Sequence, residues 1–187
     1  MRLGLLQMTT LAAAIYVYIY PVALHADRDS VNDLIVKVGA AQHQFTAEPN
    51  GQSTRTRSQM GYEGGFGYRY SDDGEIFADA GGGKIKNVSI FYWNVGLKHF
   101  FLSAESSIRP FVGLSLGKFT TTLDGQSGSS SVAFKPELGA TIETPRSSIG
   151  SFILGVKAQT FISGKSATHN VNFKNFHSGV VFVAYRF

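Results

Sequence analysis

The stretch HSGVVFVAYRF, residues 177–187, decides the reading of this sequence. In an extended chain, alternate side chains point to opposite faces. Val181, Val183, Tyr185 and Phe187 then share one wholly apolar face, while Ser178, Val180, Phe182, Ala184 and Arg186 share the other. Terminal residues usually fray unless something ties them down. An aromatic last residue at the end of an unbroken alternation predicts a strand paired to its final atom.

The same period recurs along the chain after residue 33. LIVKVGAAQHQF (34–45), QMGYEGGFGYRY (59–70), EIFADAGG (75–82), SIFYWNVGLKHFF (89–101), IRPFVGLSLGKF (108–119), VAFKPELGATIE (132–143) and FILGVKAQTF (152–161) all alternate. With the C-terminal stretch they make eight predicted strands. No helical period of comparable length interrupts them. The composition agrees, with 21 Gly, 15 Phe and 8 Tyr in 187 residues. Glycine and aromatics favour tightly packed strands over a helical bundle. With no Cys, the chain has no disulfide framework, thiolate metal site or thiol nucleophile.

The N-terminus carries a different signal. Arg2 precedes an apolar run from Leu11 to Leu24, broken only by Pro21, and Leu24-His25-Ala26 leads into the polar DRDS. This pattern predicts a secretory leader, residues 1–26, cut after Ala26. A membrane-anchoring helix is the competing reading, but it needs about 20 apolar residues. Residues 27–187 then form the mature domain. Its net charge is +3, the +4 of the whole chain less Arg2.

The connections alternate in length. SDDG (71–74), LSAESS (102–107) and TPRSSIG (144–150) are short, whereas AEPNGQSTRTRS (47–58), GGKIKN (82–87), LDGQSGSSS (123–131) and SGKSATHNVNFKN (163–175) are longer or more polar. Short turns at one end and long loops at the other are the pattern of a transmembrane β-barrel. A soluble barrel is the competing architecture, with its apolar face turned inward. The polar faces favour the membrane form. They carry Lys37, Arg69, Lys98, Lys135, Lys157 and Arg186 against Glu63, Asp79, Glu137 and Glu143, interleaved with small residues. That near-balanced set suits the narrow lumen of eight strands, which side chains just fill. Tyr68, Tyr70, Tyr185 and Phe187 fall near strand ends, where an aromatic girdle is expected. The predicted fold is all-β: an eight-stranded antiparallel up-and-down transmembrane β-barrel.

The remaining charges divide between the two ends. The short-turn end is assigned Asp27, Asp29, Asp33, Asp72, Asp73, Glu75, Glu105, Arg28, Arg109 and Arg146. The long-loop end holds Arg55, Arg57, Lys84, Lys86, Lys118, Lys165 and Lys174 against Glu48 and Asp124, a basic outer rim.

RPFVGLSLG (109–117) resembles the Pro-aromatic-Val-Gly strand of small Gram-negative outer-membrane barrels, with Ser115 where a Gly is usual. VAYRF (183–187) is similar to their C-terminal assembly signal. The chain thus resembles the opacity-like and outer-membrane-protein-A-type families over residues 33–187. The resemblance implies a place in the bacterial outer membrane, with lipid and lipopolysaccharide around it. It also implies that the barrel-assembly machinery reads Tyr185 and Phe187.

An architecture does not name a function. The leading expectation is a non-enzymatic barrel with a structural or surface-interaction role. Its basic loops would meet lipopolysaccharide phosphates or host surface molecules. Solvated loop charge is the plainer reading of the same residues. An open channel is disfavoured by the lumen charges and by Phe77, Tyr92, Phe111 and Phe182 on the same faces. Passage of small apolar molecules by a lateral route, as in outer-membrane-protein-W-type barrels, is the alternative.

A lipid A-modifying hydrolase is a further alternative. Such barrels use a His-x-Ser pair on one strand face, and hydrolysis requires imidazole and hydroxyl within hydrogen-bond reach. Phe45, Phe101 and Val171 stand two places after His43, His99 and His169, and His177 and Ser178 are adjacent. The pair is absent within any one strand, leaving only residues from different strands to supply it. No cofactor or metal is expected from the scattered His residues, and export argues against nucleic acid.

Overall fold

The computed structural model describes residues 33–49, 55–85, 88–103, 106–123, 126–129, 132–145, 150–163 and 171–187. The expected leader lies outside the described residues. Nine strands follow in chain order: β1 (Asp33–Pro49), β2 (Arg55–Arg69), β3 (Gly74–Ile85), β4 (Val88–Phe100), β5 (Ile108–Leu123), β6 (Gln126–Ser129), β7 (Ala133–Glu143), β8 (Ser151–Ser163) and β9 (Val171–Arg186). Eight of them pair antiparallel around a closed ring, β4-β3-β2-β1-β9-β8-β7-β5, with β5 returning to β4. The short β6 folds back on the end of β5 as a hairpin extension. The eight-stranded antiparallel barrel is therefore the observed fold.

Closure is made by the C-terminal strand. β9 pairs with β1 from Ile35↔Arg186 to Pro49↔Val171, and the Phe187 amide donates to the Leu34 carbonyl at 3.0 Å. The chain stays paired through its final residue because an unpaired edge in lipid would strand its backbone groups. A bulge near the other end, between Thr46 and Ala47, leaves Lys174 as the extra residue of β9.

The register also defines the barrel's shape. A row of paired residues runs from Lys118 through Trp93, Ala80, Gly64, Val38, Val183, Leu154 and Ile142. It returns to β5 at Ile108, ten residues from its start. With eight strands, that stagger corresponds to a tilt of about 40°. Each residue along a strand then rises about 2.5 Å along the barrel axis, and each step around that row falls about 3 Å.

Polarity is inverted relative to a soluble barrel. Leu34, Val38, Phe66, Val95, Leu138, Val156 and Val183 lie exposed on the outside, while Lys37, Glu63, Asp79, Lys98, Lys135, Glu137 and Lys157 are buried within. Two aromatic belts bound the outer apolar band. The lower holds Tyr68, Phe101, Phe152 and Tyr185, where the Phe152 and Tyr185 rings meet edge-on at 5.0 Å. The upper holds Tyr62, Phe91, Trp93 and Phe134. From the register the belts stand about 20 Å apart, close to the apolar height of a membrane barrel.

Many of the glycines stand where a side chain would not fit, and two of them shape the lumen and the entry to β8. The Tyr92 ring and hydroxyl lie against Gly81, where a Cβ would strike them. Gly150 carries the chain into β8 at φ 130°, a conformation that side-chain-bearing residues avoid.

Several expectations need correction. Glu75 and Arg109, assigned to the short-turn rim, are buried in the lumen, as is Asp33. Each continues the inward parity of its strand to the very first residues. Tyr70 leaves β2 and covers Gly74 in the turn, so it does not join the girdle. Burial and the charge of Asp73 push its phenol above the ordinary tyrosine range. The GGKIKN segment is mostly strand, because β3 and β4 continue pairing up to Ile85↔Val88.

Candidate functional site

Inward residues stack in layers along the lumen. Nearest the long loops, Phe45, Ile90, Tyr92, Phe119, Ala133, Phe161 and Phe176 form an apolar cluster that closes the bore. Phe161 and Phe176 meet at 4.8 Å, and Phe119 stacks on Phe176 at 6.0 Å. His43 stacks on Phe176 at 5.5 Å, with its Nδ1 3.0 Å from the Ser178 hydroxyl. So a His and a Ser from different strands do meet, but both are buried in the packed lumen.

Below this cluster lies a charge network. Lys157 Nζ reaches Glu63 at 2.5 Å, Asp79 at 2.9 Å and Glu137 at 3.1 Å. Lys37 pairs with Asp79 at 2.6 Å, and Lys135 with Glu137 at 3.2 Å. Tyr92 donates to Glu63 at 2.7 Å, and Gln159 links Glu63 to Lys135 through its two amide atoms. Phe77 sits beneath, its ring centroid 4.8 Å from Lys37 Nζ and 5.1 Å from Lys98 Nζ. A buried charge is tolerable only when paired and hydrogen-bonded. Each of these three lysines and three carboxylates has an opposite charge within 3.2 Å, although Asp79 Oδ1 and Glu137 Oε1 accept no hydrogen bond from the described residues.

The short-turn end is closed by arginines. Glu143 receives Arg69 at 2.8 Å, Arg186 at 2.9 Å and Arg109 at 3.4 Å. Arg109 also donates to the carbonyls of Leu102 and Asp72. Arg186 faces Asp33 at 3.5 Å, and Lys98 pairs with Glu75 at 2.7 Å. Phe100 lies between Arg69 and Arg109, 4.8 and 4.5 Å from its centroid. Adding Arg109, Glu75 and Asp33 to the sequence-derived set gives seven cations and six anions among the described lumen residues. Among the described residues, packed rings and paired charges thus occupy the bore in three successive layers.

The basic-rim residues are less gathered. Lys84 and Lys118 are exposed on the outer wall of β3 and β5. Arg55 and Arg57 lie on β2 opposite Ala47 and Phe45, and Lys174 on β9. Lys86 and Lys165 lie outside the described residues. No group of His, Asp or Glu suited to a metal ion occurs among the described residues. No helix among them is long and apolar enough to cross a membrane; the crossing elements are strands.

A polar feature on the outer wall has no counterpart in the sequence pattern. The hydroxyl of Thr160 lies 3.0 Å from His177 Nδ1, and Gln42 donates to Ser58 at 3.3 Å. These polar pairs line a pocket of about 360 Å³. Its residues come from β1, β2, β8 and β9, so only the pairing register brings them together.

An apolar belt outside, a charged and filled lumen, and closure without an edge define a transmembrane barrel of the bacterial outer-membrane type. No protein-family model matches the sequence, and no curated protein matches it. Solved structures do. The N-terminal barrel domain of OprF from Pseudomonas aeruginosa superposes with a TM-score of 0.54 at 15% identity, covering 84% of this chain and 98% of that one. Ail, the attachment invasion locus protein of Yersinia pestis, gives 0.50 at 14% identity, with 84% and 100% covered. Neisserial surface protein A gives 0.50 at 18%, with 81% and 95% covered. At these identities the likeness is one of fold.

Proposed function

We propose that this chain is a non-enzymatic outer-membrane barrel that acts as a structural anchor and presents its long-loop end to lipopolysaccharide and to surface molecules. The observation carrying this reading is the filled lumen. Among the described residues, three layers of paired charge and packed aromatics occupy the lumen, which supports a barrel that does not conduct. The end that remains for interaction carries the cationic excess of the sequence. Exposed Lys84 and Lys118 stand just above the apolar band, at the level of lipid phosphates, where each cation near an anionic surface contributes about 1 kcal/mol. Ail takes its name from attachment and invasion; that role belongs to Ail, and it supports a similar one here only through the shared fold. Phe187, hydrogen-bonded into the closing seam, is proposed as the residue the assembly machinery reads.

The test has two arms. Planar bilayers containing the purified barrel should show no stepwise conductance; regular single-channel openings would refute the filled lumen as the functional state. The Lys84→Glu/Lys118→Glu variant should retain less lipopolysaccharide than the parent through purification. Equal retention would remove the rim from the account.

A further inference from the structure

The outer wall of a membrane barrel faces lipid, and a polar side chain there is costly unless hydrogen-bonded. Ser58, Gln44, His177 and Thr160 nevertheless form one paired row across β2, β1, β9 and β8. Toward the short-turn end the next row holds Gln42, Gly179 and Ala158, and the pocket opens between the two. The barrel's tilt places Thr160, Gln42 and His177 within about 5 Å of the height of Phe134, Met60 and Ile162. The pocket is therefore a notch cut into the upper border of the apolar band, not a patch standing clear of it.

The chemistry of the notch is specific. It offers amide, hydroxyl and imidazole groups, and none of its lining residues is Lys, Arg, Asp or Glu. It thus suits neutral carbonyls and hydroxyls rather than a phosphate. Thr160 and His177 satisfy each other in part, as do Gln42 and Ser58, whereas the Gln44 amide has no partner among the described residues. A Cβ built on Gly179 would meet nothing within 4 Å, so the floor is open to an occupant. Below it, Val181 and Val156 continue an apolar track. The polar row crosses four strands, roughly 14 Å, farther than the two adjacent ester groups of a diacyl phospholipid reach.

We propose that this notch binds the linkage region of an acylated saccharide lipid of the outer leaflet. Its ester and amide carbonyls and hydroxyls meet Gln42, Gln44, Thr160 and His177. One acyl chain lies over Gly179 and Ala158 onto Val181 and Val156. The choice of leaflet rests on the orientation proposed above; the notch itself is independent of the basic rim.

Native mass spectrometry of the detergent-purified barrel, with lipid A and phosphatidylethanolamine as separate probes, tests this. The parent should hold one lipid A. Gly179→Leu, which fills the floor, and Thr160→Val/His177→Phe, which removes the polar pair, should each bind it at least about tenfold more weakly. Val95→Ile, on the outer wall of β4 away from the notch, should bind as the parent does. All variants should still change gel mobility on boiling, which keeps failure of the barrel reading separate from failure of the site. Equal lipid A binding by the parent and both notch variants would overturn the proposal. So would preferential binding of phosphatidylethanolamine, or release of free fatty acid from lipid A, which would make the notch a catalytic site.

Discussion

Glu137→Gln removes one charge from the middle of the lumen while keeping the side chain's size. Glu137 is buried and lies 3.1 Å from Lys157 and 3.2 Å from Lys135. At those distances, with an effective dielectric near 20, each pair attracts by about 5 kcal/mol before desolvation is counted. The loss is uneven. Lys157 keeps Glu63 at 2.5 Å and Asp79 at 2.9 Å, whereas among the described residues Lys135 keeps a single carboxylate, Asp79 at 4.0 Å, with the Gln159 carbonyl and the Phe77 and Phe161 rings. The variant therefore strands Lys135 as an underpaired buried cation. Breaking a buried pair in this way typically costs about 3–5 kcal/mol. With a urea slope of about 2 kcal/mol per molar, the unfolding midpoint in lipid vesicles should fall by about 2 M. Lys135→Met/Glu137→Leu replaces the pair by apolar groups and should recover most of the loss, because an apolar substitute often equals a buried ion pair. A single-variant shift below about 0.5 M, or a double variant no better than the single, would refute the network as a source of stability.

Glu143→Gln should be costlier than Arg109→Met at the other end of the bore. The first leaves three guanidiniums on a neutral amide, while the second leaves Arg69 and Arg186 on an intact carboxylate. The reverse order of urea midpoints would show that the arginines are anchored mainly elsewhere. Gly81→Val should displace Tyr92 from its place over the backbone and weaken the Tyr92–Glu63 hydrogen bond, at a cost of about 1–3 kcal/mol. Refolding into vesicles with an unchanged midpoint would show that the ring has room to move.

The barrel is legible in sequence because lipid on one side and a charged lumen on the other impose strict alternation. The lumen charges near strand centres, such as Lys37, Glu63 and Glu137, stand out for that reason. Glu75, Arg109 and Asp33 are harder to place because they sit at strand starts, where the boundary between turn and strand is least determined. Parity is the available signal: Glu75 alternates with Phe77 and Asp79, and Arg109 with Phe111 and Gly113. The long-loop end holds more strand than its polarity suggests, since Gly82–Ile85 pairs with β4 through backbone bonds that do not depend on side-chain polarity. The outer notch is not legible at all. His177 and Thr160 are adjacent only because β8 and β9 pair in one particular register, and no pattern within either strand records it.

The central claim is that the apolar face points to lipid. Trp93 is the only tryptophan in the chain and lies 50% exposed on the outer wall, in the upper aromatic belt. Its fluorescence should be measured in vesicles whose acyl chains carry bromine either near the headgroup or near the chain end. The account predicts strong quenching by the shallow bromine, weaker quenching by the deep one, and little by aqueous iodide. Efficient iodide quenching with no response to either brominated lipid would place that face in water and contradict the membrane barrel.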